Sequence, residues 1–272
     1  MNRSFTSFLR RNLAAARLAI LSQLEYRINF AVDALIQPAI TSAIEVTLWM
    51  AILTGMATET LGGFGREYYL AYALWANFVG RVTANWMYEF QMVDEIDSGR
   101  VNAILVRPIS FYEFYLSQFI GYKMLILVSS FFIPTAICLV VGAPFDPSRL
   151  PGMIALILFY LIFSHTVSFC VACMAFHLNR AHSLTGMKNL AIWVLSGELI
   201  PLDLYPEPFR GWLLNSPFAA AVYTPVSYVT GRVGHEALMN SFASVAISLV
   251  VVGLIASLLW KNGVRQYTGT GA

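Results

Sequence analysis

Cys170 and Cys173 stand three positions apart, the spacing of a redox dithiol or of half a metal site. Their immediate flanks, Ser168-Phe169 and Met174-Ala175-Phe176, supply no further ligand. Cys138 also lies in an apolar run. All three cysteines therefore read as small packing residues, and neither a disulfide framework nor a metal centre is expected. Hydrolytic chemistry finds no residues either. The His-Glu-x-x-His of a zinc peptidase and the Gly-x-Ser-x-Gly of a nucleophile elbow are both absent. Asp33 is the only aspartate inside an apolar stretch, so no facing aspartate pair is expected, and no catalytic residue is assigned.

Five ionisable residues do fall within or beside long apolar stretches: Asp33, Glu45, Arg81, Lys123 and Glu198. Such groups are costly in a membrane and usually face a bundle interior. Two readings are open. They line a polar pathway, or they pair to fix helix register. The second is favoured for Asp33, Arg81 and Lys123, with Asp33 pairing Arg81 or Lys123. Glu198 follows Gly197 at an expected helix break and suits either reading. His165 is read as a hydrogen bonder between helices rather than a ligand.

The elements that position these residues follow from composition. The 272 residues are 58% hydrophobic and 12% charged, against about 25% charged in soluble domains. An integral membrane protein is expected. There is no basic block, so no nucleic acid partner is expected. Six spans are predicted, over 30–53, 68–87, 114–141, 153–178, 190–202 and 242–260. Eleven basic residues fall on one side of that arrangement: Arg3, Arg10, Arg11, Arg17 and Arg27, then Arg100, Arg107, Arg180, Lys188, Lys261 and Arg265. Only Arg66, Arg149, Arg210 and Arg232 fall on the other. Positive charge marks the cytoplasmic side, which predicts a multi-pass protein of the inner (plasma) membrane with both termini inside. Residues 1–28 mix arginines with Phe8, Leu13, Leu18 and Leu24 at helical spacing and lack the features of a cleavable signal. They predict an interfacial helix lying on membrane lipid.

The most patterned polar run is 93–110. Val93 and Ile96 share one helical face, with Asp94, Glu95 and Asp97 around them. Gly99 suits a left-handed stop. After Arg100, a second apolar face of Val101, Ile104 and Leu105 precedes Arg107 and Pro108. Ser110-Phe-Tyr-Glu113 fits a capping box that restarts a helix. Two short amphipathic pieces under the membrane, suited to docking a cytoplasmic partner, are expected. Between Pro201 and Pro225 lie five of the eleven prolines, with Phe209, Trp212, Phe218 and Tyr223. That stretch is too apolar for a free loop and too proline-rich for one helix. Short half-helices returning into the outer leaflet over 201–235 are expected.

Three islands carry a resemblance. Ile96-Asp97-Ser98-Gly99-Arg100-Val101 with Leu105-Val106-Arg107-Pro108 resembles the segment after the second span in permeases of type-2 ABC exporters. Ser196-Gly197-Glu198-Leu-Ile-Pro201 through Tyr205-Pro206, and Asn215-Ser-Pro217-Phe218 with Tyr223-Thr-Pro225, are similar to runs near that family's other end. The resemblance implies a six-span, all-α permease forming one domain over 1–272. It implies ATPase coupling through Val93, Asp94, Glu95, Ile96, Asp97, Gly99, Arg100, Arg107 and Pro108. It also implies an outer gate involving Gly197, Glu198, Pro201, Pro217, Phe218 and Pro225. No Walker sequence is present. The chain is thus expected to hold no cofactor, with ATP and Mg2+ bound by separate ABC-type ATPase subunits, and to work beside a second permease, identical or related. The alternative is an ion-coupled secondary transporter using the buried charges and the broken fifth span.

Overall fold

The computed structural model describes residues 2–55, 60–61, 63–178 and 181–267, with side chains described in those ranges except for residues 2–6 and 61. Arg180 and the side chain of Arg3, both counted in the charge bias, lie outside the described residues.

The fold is a helical bundle. Helices satisfy all but their terminal backbone groups within their own segment, which suits an apolar environment. In chain order they are α1 (Asn2–Glu25), α2 (Arg27–Thr54), α3 (Arg66–Thr83), α4 (Trp86–Asp97), α5 (Asn102–Leu105), α6 (Phe111–Val141) and α7 (Pro147–Phe176). There follow α8 (Ala181–Leu195), α9 (Phe209–Leu214), α10 (Tyr223–Val229) and α11 (His235–Gln266). A two-residue antiparallel ladder, β1 (Thr60–Leu61) with β2 (Phe64–Gly65), joins α2 to α3.

Among the described residues, four helices are long and apolar enough to cross a membrane: α2, α6, α7 and α11, of 28, 31, 30 and 32 residues. The stretches expected as second and fifth spans differ from prediction. Helix α3 stops at Thr83 rather than 87, and it carries Arg66, Glu67 and Arg81. Its residues from Tyr68 to Gly80 are all buried, so protein rather than lipid surrounds it. Helix α8 ends at Leu195 and starts nine residues before position 190. Gly197, with φ of +84°, ends it.

Trp75, Tyr69 and Tyr72 of α3 sit at the centre of the core. Helix α2 packs along α3, α11 along α7, and α4 across α7. Helix α1 lies along α6. Ala15 and Ala19 turn inward while Leu13, Leu18 and Leu21 face out. The small inward face permits close approach: a Cβ at Gly121 of α6 would come within 2.6 Å of the Ala16 carbonyl oxygen. Ser117 Oγ donates to Asn12 Oδ1 at 2.6 Å across the same contact. The expected amphipathic helix is therefore docked on the bundle along one side.

Candidate functional site

All five of the charges singled out in the sequence line one cavity of about 460 Å³. Helix α2 contributes Asp33 and Glu45, α3 Arg81, α6 Lys123, and the turn after α8 Glu198.

The Asp33 corner is built around a proline. Pro38 has no N–H to give, so acceptors one turn back in α2 need other donors. Residues Val32–Ile36 widen into a π turn, a local distortion that recurs at functional sites. Arg81 donates to the Asp33 carbonyl and also forms an ion pair with the Asp33 carboxylate. Ser130 Oγ donates to the Ala34 carbonyl at 2.5 Å. Tyr122 donates to the second Asp33 carboxylate oxygen. Asp33 thus pairs with Arg81, not with Lys123.

Lys123 serves the end of α3. Its Nζ donates to the Arg81 carbonyl at 2.6 Å and stands over the Phe119 and Tyr122 rings at 5.7 and 5.4 Å. Ser164 Oγ of α7 donates to the Thr83 carbonyl at 3.1 Å. The last carbonyls of a helix lack intrahelical partners, and here neighbouring helices supply them. The chain then runs extended at Ala84, with ψ of 137°, and α4 begins at Trp86.

Asn85 occupies that break. It is 3% exposed. Neither its amide nitrogen nor its amide oxygen has a hydrogen-bond partner among the described residues. It lines both the 460 Å³ cavity and an adjoining one of about 340 Å³, and Glu198 lines both as well. On the far side of the break, fully buried Glu89 of α4 forms an ion pair with Lys188 of α8, which also donates to Ser168 Oγ at 3.1 Å. Sequence reasoning missed this pair. Glu89 falls just past an expected span end, and Lys188 counts among loop charges there.

Glu198 is positioned by two glycines. Its carboxylate lies against the bare backbone of Gly80, where a Cβ would meet Cδ at 2.3 Å. Gly197 holds its positive φ while its carbonyl accepts from Tyr72 Oη at 2.7 Å. Asn77 of α3 lines the same cavity as Glu45. The stretch beyond forms two short helices. Helix α10 is buried throughout and includes Pro225. Pro201 is buried, and Pro217 and Phe218 are half-buried, beside α9. Asp203 ties the region together, accepting from Tyr223 Oη at 2.9 Å and Arg232 at 2.9 Å.

The patterned segment lies at the other end of α4. Its apolar residues face inward: Val93, Ile96, Val101 and Ile104 are all below 5% exposed. Gly99 takes φ of +75°, and Ser110 with Glu113 forms the expected capping box. The outward surface includes Asp94, Asp97, Arg100, Leu105, Val106, Arg107 and Pro108. Asp94 meets His182 of α8 at 2.9 Å. Asp97 titrates above the ordinary carboxylate range. Burial is the main cause and Asp94 adds to it, while His182 pulls the other way. Tyr267 Oη donates to the Gly99 carbonyl at 3.2 Å. His165 of α7 bonds to the Tyr112 carbonyl of α6 at 3.2 Å.

A bundle of membrane-crossing helices enclosing charged residues, joined by one helix to a polar surface segment, is the build of a transport protein rather than a soluble enzyme. Residues 39–271 match the family described as ABC-2 family transporter protein, and the chain belongs to that family. It is a multi-pass membrane protein and a permease subunit of a type-2 ABC transporter, a transport component that is not itself catalytic. A comparison with curated proteins gives no match.

Proposed function

We propose that this chain forms the translocation pathway of an ATP-driven exporter, coupled to separate cytoplasmic ATPase subunits. The observation that carries this reading is the single helix α4, which runs from the polar cavity at Asn85 to the exposed segment at Asp97. A push on that segment reaches the cavity through one rigid element. Val93 and Ile96 anchor the segment, and Asp94, Arg100, Val106, Arg107 and Pro108 offer the docking surface. Membership of the ABC-2 family supports an ABC-type ATPase as the partner. ATP and Mg2+ belong to that partner, and this chain takes no cofactor. A second permease, the same chain or a related one, completes the pathway.

In this reading the chain is one permease domain over 1–272, with α3 and α8 as the second and fifth of six spans. At about 1.5 Å per residue the 18 residues of α3 cover about 27 Å, close to the hydrocarbon thickness. Both termini are then on the same side, and the excess of arginine and lysine there supports the cytoplasm of a cell with this chain in its inner membrane. Residues 201–235 fold back on the opposite side, with α9 and α10 as re-entrant pieces. Gly197, Glu198, Pro201, Pro217, Phe218 and Pro225 form the outer gate.

The test is affinity purification of the full chain, expressed with its neighbouring genes, followed by mass spectrometry and an ATPase assay. Wild type is expected to bring down an ABC-type ATPase. The surface variants Val106→Asp and Arg107→Glu are expected to lose it while still inserting in the membrane. If the chain emerges alone, and transport persists after ATP depletion, coupling to an ATPase is refuted and an ion-coupled carrier takes its place.

A further inference from the structure

The charges of the 460 Å³ cavity do not balance. Asp33 and Arg81 neutralise one another. Lys123 is 6% exposed and turned onto the Arg81 carbonyl and two aromatic rings. Glu45 from α2 and Glu198 beyond α8 line the same cavity, so with Lys123 set against one of them a single carboxylate is left in excess. A carboxylate left in excess in a poorly solvated site is relieved by a proton or by a cation.

Two further observations point to an organic cation. Asn85 presents an unpaired carboxamide, nine-tenths buried, into the cavity wall. A buried amide without partners is costly and suits a ligand that both donates and accepts. Trp86 and Trp193 also line the cavity, and they are 57% and 44% exposed. Indole faces attract cations and cover apolar bodies.

The geometry points to a binding site for an amphiphilic organic ammonium, its amine held between Glu45 and Glu198, with Asn85 pairing a polar substituent and Trp86 and Trp193 covering the apolar body. This substrate class rests on the reading of the cavity as the transport pathway. The adjoining 340 Å³ space, which Asn85 and Glu198 also line, gives room for a longer molecule.

The experiment uses the full chain in nanodiscs and equilibrium dialysis of tryptamine. Indole-3-propionate, with the same ring and chain length but opposite charge, is the matched control. Wild type is expected to bind tryptamine and not the propionate. Glu45→Gln and Glu198→Gln are each expected to weaken tryptamine binding by about tenfold or more, and Asn85→Asp to tighten it. Thermal unfolding of each variant separates lost binding from lost folding. Asn85→Asp keeps the test sharp if the glutamine variants fold poorly. Equal binding of both indoles overturns the proposal. So does absence of tryptamine binding up to about 10 mM, or its displacement by about 150 mM sodium or potassium chloride in the manner of an inorganic cation site. Such a failure beside an intact ATPase complex would remove the substrate class and leave the permease reading standing.

Discussion

Glu198 packs against Gly80 so closely that no methyl group fits between them, a Cβ there meeting the carboxylate oxygens at 2.4 and 2.6 Å. The turn that ends α8 is thereby seated on α3. Gly80→Ala must push Glu198 away or move the helices apart. Overpacking of this kind costs about 1–3 kcal/mol. The expected result is a lower thermal midpoint, partly restored by Gly80→Ala combined with Glu198→Ala. No change in the single variant would mean that Glu198 does not rest on α3.

The Glu89–Lys188 pair tests how α4 is held. Removing one partner leaves a buried charge uncompensated, at about 3–5 kcal/mol. Glu89→Gln and Lys188→Met are each expected to destabilise strongly. The double variant is expected to recover most of the loss in a double-mutant cycle read by thermal unfolding. Additive losses would show that the two charges act separately.

Gly121→Val tests the docking of α1. The added side chain would strike the Ala16 backbone, and the expected outcome is a released N-terminal helix. Protease sensitivity within residues 7–25 is the measure, with the thermal midpoint as a control for the rest of the bundle. Unchanged protection would place α1 elsewhere.

Tyr267→Phe removes one hydrogen bond to Gly99 and keeps the ring against Phe176. A bond of this kind contributes about 1 kcal/mol. Faster amide exchange at residues 99–104 is expected, by about fivefold, with little change in the spans.

Asp97 supplies a pH test. Its folded-state titration lies above the unfolded value, so the folded chain holds the proton more tightly. Stability is then lost as pH rises from the ordinary aspartate range, near about 3.9, through the raised value. Asp97→Asn removes that loss. The variant's thermal midpoint is expected to match wild type at about pH 3.5 and to exceed it modestly at about pH 7.5, since the site is largely exposed.

Local features were legible in the sequence. The Ser110–Glu113 capping box needs only four consecutive residues, Gly99 announces a left-handed turn, and Gly197 marks a helix break. Class and long apolar helices followed from composition. The Asp33–Arg81 pair was within reach because both residues stand out against their surroundings. What stayed hidden depends on distant partners. The break after Thr83 has no glycine or proline to mark it, and its freed carbonyls are met by Lys123 and Ser164, some forty and eighty residues further on. Glu89 and Lys188 meet only because α4 and α8 pack together. Val93 and Ile96 read as a docking face in isolation. In the fold that face is already covered, which moves the exposed surface to Asp94, Val106 and Arg107.

Helix α11 is a single rod of 32 residues, about 48 Å long at 1.5 Å per residue. Near one end His235 Nδ1 meets Tyr228 Oη of α10 at 2.8 Å, and just past the other Tyr267 holds Gly99. The rod rests on α7 between these clamps. A beam held this way cannot change the spacing of its ends, so tilting it over α7 swings α10 and the Gly99 turn in opposite senses, like the two pans of a balance.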